Sequence, residues 1–137
     1  VGFILNVEGT TLGVETIKTV DFAVSTPNDT NAKTTDVAVT ATITGKILTM
    51  LDDGTEGTVD LAKWAMITSD KAECYKNVTI QSIAAGQVVR EYTMPTAFVV
   101  DYNENYDDVE GVGTFTLVVR QKKDKIGTIT VNGGYEA

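Results

Sequence analysis

Residues 97 to 125 read AFVVDYNENYDDVEGVGTFTLVVRQKKDK, two stretches of alternating polarity on either side of a glycine turn at Gly111 and Gly113. Side chains of a strand repeat every two residues. Phe98, Val100, Tyr102 and Tyr106 therefore share one side of the first stretch, and Phe115, Leu117 and Val119 share one side of the second. The opposite sides carry Asp101, Asn103 and Asn105, then Thr114, Thr116 and Arg120. The pattern predicts a long antiparallel hairpin with one side in a core and the other in water. It holds no catalytic constellation, which points toward a structural protein.

Upstream, Phe3 to Val7 predicts a short strand ended by Glu8-Gly9. Thr16 to Ser25 predicts a second, with Val20, Phe22 and Val24 opposed to Thr19, Asp21 and Ala23. Val37 to Thr49 alternates most clearly, with Val37, Val39, Ala41, Ile43 and Ile47 on one side and Thr40, Thr42, Thr44 and Lys46 on the other. Between these two strands lies TPNDTNAKTTD, residues 26 to 36, too long for a tight hairpin turn and too polar for a core. The turn LDDGTEG, from Leu51 to Gly57, precedes a helix expected from a Thr58 cap to about Ile67. Leu61, Trp64, Ala65 and Thr68 recur in it at helical spacing. Trp64 on the apolar side of a lone helix is expected to plug the core, and Phe22, Phe98 and Phe115 are the other expected core anchors.

Asn77 to Ala85 and Gln87 to Thr93 predict a hairpin about Ala85-Gly86. Pro95 is expected to interrupt the chain before the Ala97 strand, because proline cannot donate to a ladder. Ile126 to Val131 supplies a last short strand. The expected fold is mainly β, about eight antiparallel strands in a barrel or sandwich with one short α-helix. No internal repeat is visible.

The chain has 137 residues, enough for a single domain (1–137) with its own core. Only 2 Pro and 12 Gly accompany 42% hydrophobic residues, so an ordered chain is expected. No apolar run approaches a membrane span, and Val1 to Val7 lacks the basic start of a secretory leader. The one cysteine, Cys74, has no partner for an internal disulfide and reads as a half-buried strand residue. Histidine is absent, which removes the usual residue of catalytic triads, H-E-x-x-H zinc sites and general bases at neutral pH. A formal charge of −8, from 19 acids against 11 bases, repels phosphate backbones.

Asp101, Asn103, Asn105, Asp107, Asp108 and Glu110 open like a calcium loop. The match fails at Tyr106, where the sharp turn needs glycine, and at Val112, where a bidentate glutamate is needed. On a strand, residues 101, 103 and 105 instead form a solvated or subunit-facing stripe. Arg120, Lys122, Lys123 and Lys125 make a basic cluster, either a charged strand end or a partner for acids of a neighbouring subunit. Asn28-Asp29-Thr30 and Asn77-Val78-Thr79 fit the glycosylation sequon, which is frequent by chance. No serine or threonine has a base to activate it. The expectation is a non-enzyme with no cofactor and no metal.

These residues resemble the tail-tube superfamily of contractile injection systems: phage tail-tube proteins, the Hcp tube protein of type VI secretion, and tailocin tubes. The resemblance covers most of the chain. It is carried by STPNDTNAKTTD (25–36), DLAKWAMI (60–67) and GQVVREYTMPTAFVVDYNENYDDVEGVGTFTLVVRQKKDK (86–125). The last is similar to short tube-like proteins of Gram-positive bacteria, some of which go by the name membrane-associated protease. Without histidine, an activated nucleophile or a membrane element, this chain offers proteolysis no chemical basis.

The resemblance implies an antiparallel β-barrel whose sheet continues between subunits into homohexameric rings, stacked into a hollow tube. The loop from Ser25 to Asp36 would then reach a neighbouring ring or subunit, with Pro27, Asn28, Asp29, Thr30, Asn31, Lys33 and Asp36 as stacking candidates beside Arg120, Lys122 and Lys123. It further implies sheath, baseplate and tail-terminator partners, and DNA or protein cargo passing the lumen without specific binding. Synthesis in the bacterial cytoplasm would be followed by assembly into a virion tail or a released injection particle, without membrane insertion. Six copies would carry about six times −8, roughly −48 per ring, and an acidic lumen would let cargo slide. The alternative is a monomeric β-sandwich binding module for sugar or peptide. Such modules expose aromatic platforms, whereas most aromatics here fall on the apolar sides of strands.

Overall fold

A computed structural model describes residues 1–26, 37–47, 54–108 and 113–133, the side chains of 54–57 excepted. Eight strands appear: β1 (Gly2–Val7), β2 (Thr10–Leu12), β3 (Ile17–Ser25), β4 (Ala38–Ile47), β5 (Lys76–Ala84), β6 (Gln87–Asn105), β7 (Gly113–Gln121) and β8 (Thr130–Gly133). The helix α1 (Gly54–Ala65) lies between β4 and β5, and 3-10 turns occupy Ala72–Cys74 and Lys123–Thr128. All pairings are antiparallel, in the order β2-β1-β5-β6-β7-β4-β3, with β8 also on β6. The ladder is open: β2 and β3 end it without pairing to each other, so the expected barrel is not closed within one chain.

Tight turns set the local register. Val7 pairs with Thr10 across Glu8 (φ 48) and Gly9 (φ 91), and Ala84 pairs with Gln87 across Ala85 (φ 54) and Gly86 (φ 76). Two consecutive positive φ angles give the type I′ geometry that matches strand twist. β4 shows strict alternation, with Val39, Ala41, Ile43 and Ile47 buried and the threonines between them half-buried. The core gathers Leu5, Ile43, Leu61, Trp64, Val78, Ile80, Met94, Phe115, Leu117 and Val119. Phe22 of β3 stacks on Tyr92 of β6 at 4.0 Å, so the inner side of β3-β4-β7 meets the inner side of β1-β5-β6. Gly45 permits this closure, because a Cβ there would lie 2.4 Å from the Thr16 carbonyl oxygen and 2.6 Å from the Phe115 ring.

Several sequence expectations change, among them Cys74, which is buried in a 3-10 turn and not half-buried on a strand. β2 was not anticipated; its three residues are too few for a periodic signal. α1 begins at Gly54 and not at a Thr58 cap, and Thr58 is a buried residue within the helix. Pro95 does not break the chain, because the β5–β6 register shifts between Val78↔Met94 and Lys76↔Ala97, leaving proline at an irregularity where it withholds no ladder bond. Ile126 lies in the second 3-10 turn, half-buried against the core, and β8 starts only at Thr130.

The 19-residue strand β6 carries the architecture. One edge pairs with β5 as far as Ala97; the other pairs with β8 at Arg90–Thr93 and with β7 at Ala97–Asn105. A bulge at Val100 separates Val99↔Val119 from Asp101↔Val118. It places Phe98 opposite exposed Arg120 while Tyr102 stands opposite buried Leu117, so these two aromatics do not share a side as simple alternation predicts.

Candidate assembly interface

The side of β3-β4-β7-β6 turned away from the core is a lattice of polar rows fixed by register. Thr19, Thr44, Thr116 and Asn103 form one row; Asp21, Thr42, Val118 and Asp101 form the next. Ala23, Thr40, Arg120 and Phe98 form a third, in which the Arg120 guanidinium donates to Thr40 Oγ1 at 3.3 Å. Lys46, Thr114 and Asn105 begin a fourth. Within these rows Asp21 and Asp101 stand against Lys46 and Arg120, and Lys18, Asp107 and Asp108 join Lys46 in a cleft at the end of the fourth row, so among the described residues of this face the two signs nearly balance. Asp101, Asn103 and Asn105 stand along one side of an extended strand, about 6.6 Å apart in sequence pairs, and cannot wrap an ion as a calcium loop does.

Both outer strands of this four-stranded face keep an unpaired edge. β3 pairs only with β4 along its nine residues. Beyond Ala97, β6 pairs only with β7, because β5 begins at Lys76. Among the described residues no other strand covers these edges. Val24 on β3 and Val100 at the β6 bulge are exposed there, at 56% and 43%. Neither unpaired stretch carries a proline; a bulge interrupts each, at Lys18 on β3 and at Val100 on β6, and Glu104 stands on the core side of β6 opposite buried Phe115, bonded to Tyr102 and Tyr106.

A cavity of about 130 Å³ opens beside the unpaired part of β6, lined by Trp64, Ile67, Cys74, Tyr75, Phe98 and Val99. Trp64 is buried and donates from Nε1 to the Cys74 carbonyl at 2.8 Å, which ties α1 to the first 3-10 turn and fixes the cavity floor. Phe98 lies outside the hydrophobic cluster and meets Tyr75 edge to face at 6.0 Å. Lys122 stands over the Tyr75 ring and pairs with Asp124 at 3.7 Å, a contact within its own turn. Phe115 is fully buried, and Phe22 is half-buried on Tyr92. Arg120 thus belongs to the polar lattice, while Lys122 and Lys123 sit at the turn that follows. Pro27, Asn28, Asp29, Thr30, Asn31, Lys33 and Asp36 lie outside the described residues.

Two features escaped sequence reading. Gln121 is buried at the end of β7; its Oε1 accepts from the Thr96 N–H at 3.2 Å and its Nε2 donates to the Lys125 carbonyl at 3.1 Å. It pins β6 to the turn that leads into β8. At the other end of β6, the Glu104 carboxylate accepts from both Tyr102 (2.6 Å) and Tyr106 (2.9 Å). Burial and this bond hold the Tyr102 hydroxyl well above its ordinary range, and the bond to Glu104 raises that of Tyr106. The Tyr106 ring lies where a Cβ on Gly113 would be, 2.6 Å away, so that glycine lets the ring close over the hairpin end. Neither feature has a spacing signature. A further cleft of about 260 Å³ between α1 and β1 is lined by Glu8, Asp60, Lys63 and Lys76 around Trp64, and Asp60 is engaged by Thr10. Among the described residues no helix is long and apolar enough to cross a membrane.

No family model matches the sequence, and no curated protein matches it. Solved structures do. Hcp1 from Flavobacterium johnsoniae superposes with a TM-score of 0.63 at 17% identity, covering 100% of both chains. A chain of the PVC sheath-tube complex, from an extracellular contractile injection system in its extended state, gives 0.55 at 11% identity over 97% of this chain and 89% of that one. A chain of the anti-feeding prophage baseplate gives 0.52 at 12% identity over 96% and 91%. The open antiparallel sheet with α1 between β4 and β5 is therefore the Hcp-like fold shared with chains of contractile injection systems.

Proposed function

We propose that this protein is a non-enzymatic tube subunit of a contractile injection system, which assembles with copies of itself into stacked rings. The observation that carries the reading is the pair of unpaired edges on one four-stranded face. β3 runs antiparallel to β4, β4 to β7 and β7 to β6. The free edge of β3 is thus antiparallel to the free edge of β6, and the β3 edge of one copy can extend the ladder at the β6 edge of the next. Repetition turns an open sheet into a closed one that no single chain contains. Four strands per copy at about 4.8 Å give, for about six copies, a circumference of about 115 Å and a backbone diameter of about 37 Å. The polar lattice would line that channel, with its hydroxyls, amides and balanced charges toward the cargo.

The loop from Ser25 to Asp36 joins β3 to β4 and so leaves the sheet at one rim, where it can reach a stacked ring. Sheath, baseplate and terminator proteins are the partners this role requires. Negative-stain microscopy of the purified protein tests the reading: rings or tubes support it. Small featureless particles at every salt and protein concentration overturn it, and leave a monomeric binding module.

A further inference from the structure

Ala97 of β6 is paired on both edges, with Lys76 of β5 and with Gln121 of β7. Ahead of Lys76 the chain stays extended at Tyr75 (φ −99, ψ 127), whose ring meets Phe98 edge to face. A β3 arriving from a second copy at the unpaired stretch of β6 lies in line with β5 and cannot run past it. Within one chain the rows are straight, Asp21 aligning with Thr42, Val118 and Asp101, and Phe22 with Ala41, Val119 and Val99. Continued unchanged across the seam, they would set Asp21 of the second copy beside Asp101 and its Val24 beside Ala97, where Lys76 already stands. We infer that β5 acts as a stop: β3 of the second copy is displaced along β6, away from Ala97, by two or four residues. The inference deepens the ring reading above and rests on it.

An odd displacement would turn Phe22 and Val24 of the second copy into the channel and its Thr19 and Asp21 toward the core. Two residues is the least that clears Lys76, and four clears Tyr75 as well. A larger displacement runs β3 off β6, which ends at Asn105. At two, Asp21 of the second copy stands beside Asn103 and its Phe22 beside Tyr102. Closure itself asks for such a stagger, because a sheet becomes a barrel only with tilted strands and a sheared register. The rows within one chain are straight, so the seam must supply the shear. Across four strands at about 4.8 Å, two or four residues at about 3.3 Å each incline the strands by about 19° or about 35° to the tube axis, whatever the number of copies.

Cysteine pairs read the register. In a Cys74→Ala background, Asp21→Cys is combined in turn with Asp101→Cys, Asn103→Cys and Asn105→Cys, all at exposed positions of the polar face. Within one chain three ladder steps of about 4.8 Å keep each pair beyond disulfide reach, so bonds form only between copies. Diamide takes up the two electrons and two protons released as two thiols join, and the product is a ladder of covalent multimers on non-reducing electrophoresis. The ladder should be strongest with D21C/N103C or D21C/N105C, because only directly opposed side chains lie close enough. A maximum at D21C/D101C overturns the displacement and leaves the seam in place. Rings that yield no ladder from any of the three pairs overturn the displacement and the β3–β6 seam together. Small particles in the wild type, with no ladder, overturn the ring reading itself. A second measurement needs no substitution: cryo-electron microscopy of wild-type tubes should show the strands of the channel wall inclined by about 19° or about 35° to the axis. Strands parallel to the axis reject the displacement even if the cysteine variants fail to assemble.

Discussion

Gln121→Glu replaces one atom in a buried network and should make the fold depend on pH. Gln121 is 1% exposed, with Oε1 accepting from Thr96 and Nε2 donating to the Lys125 carbonyl. The Thr128 hydroxyl already donates to that same carbonyl at 2.6 Å, so it has no proton left for a second acceptor. In the variant, an ionised carboxylate keeps the Thr96 bond but turns its other oxygen toward two acceptors. The folded-state pKa must therefore rise above the unfolded value of about 4.3. Below about pH 4 both states are protonated, the acid hydroxyl donates to Lys125 as the amide did, and the cost should be about 1 kcal/mol or less. As pH rises from about 4.3 through the folded pKa, the unfolded chain ionises more readily than the folded one and stability is lost. At about pH 7 the loss should reach about 3–5 kcal/mol, the usual cost of an uncompensated buried charge. Urea unfolding followed by the fluorescence of the single tryptophan, in dilute protein at about pH 4 and pH 7 with the wild type subtracted, reads this directly. Gln121→Met is the control, with a pH-independent loss of about 1–3 kcal/mol. An equal penalty for Q121E at both pH values would refute the network as drawn.

Trp64→Ala should cost about 3–5 kcal/mol for a buried large aromatic, and Trp64→Phe about 1–3 kcal/mol for the orphaned Cys74 carbonyl alone; equal losses in urea melts would contradict the bond. Deleting Asn28 to Lys33 should leave the far-ultraviolet spectrum and melting unchanged while abolishing ring stacking, and normal tubes from the deletion would make the loop a plain connection. Changing Lys122 and Lys123 to Glu takes the formal charge from −8 to about −12. Monomer stability should move by only about 0–1 kcal/mol per exposed pair, whereas rings should form poorly at low salt and recover as salt is added. Wild-type assembly at low salt, measured by sedimentation, would place the interface elsewhere.

Alternation was enough to read β4 and β7, where every second residue is buried, and the Glu8-Gly9 and Ala85-Gly86 turns, where positive φ angles constrain residue choice. It misled where a strand is irregular. The bulge at Val100 moves Phe98 to the opposite side from Tyr102, and no residue type announces a bulge. Proline was read as a break because its missing donor matters within a ladder, yet the shifted register at Pro95 leaves no bond to lose. The polar lattice was visible as a run of threonines and asparagines. Its charge balance was not, because neutrality depends on which few charged residues share a side, while composition reports only the total. Gln121 and Glu104 bond across turns and along one strand in ways that side-chain identity alone does not specify.

β6 is common to both halves of the molecule, held by β5 on one edge and by β7 and β8 on the other. A thrust along this strand loads the two ladders in shear, and their perpendicular hydrogen bonds must then fail together, not one after another as in peeling. The halves cannot slide apart without breaking such a row or the covalent chain itself. Mechanical strength along one axis is thus set by topology, and core packing is left free to tolerate substitution.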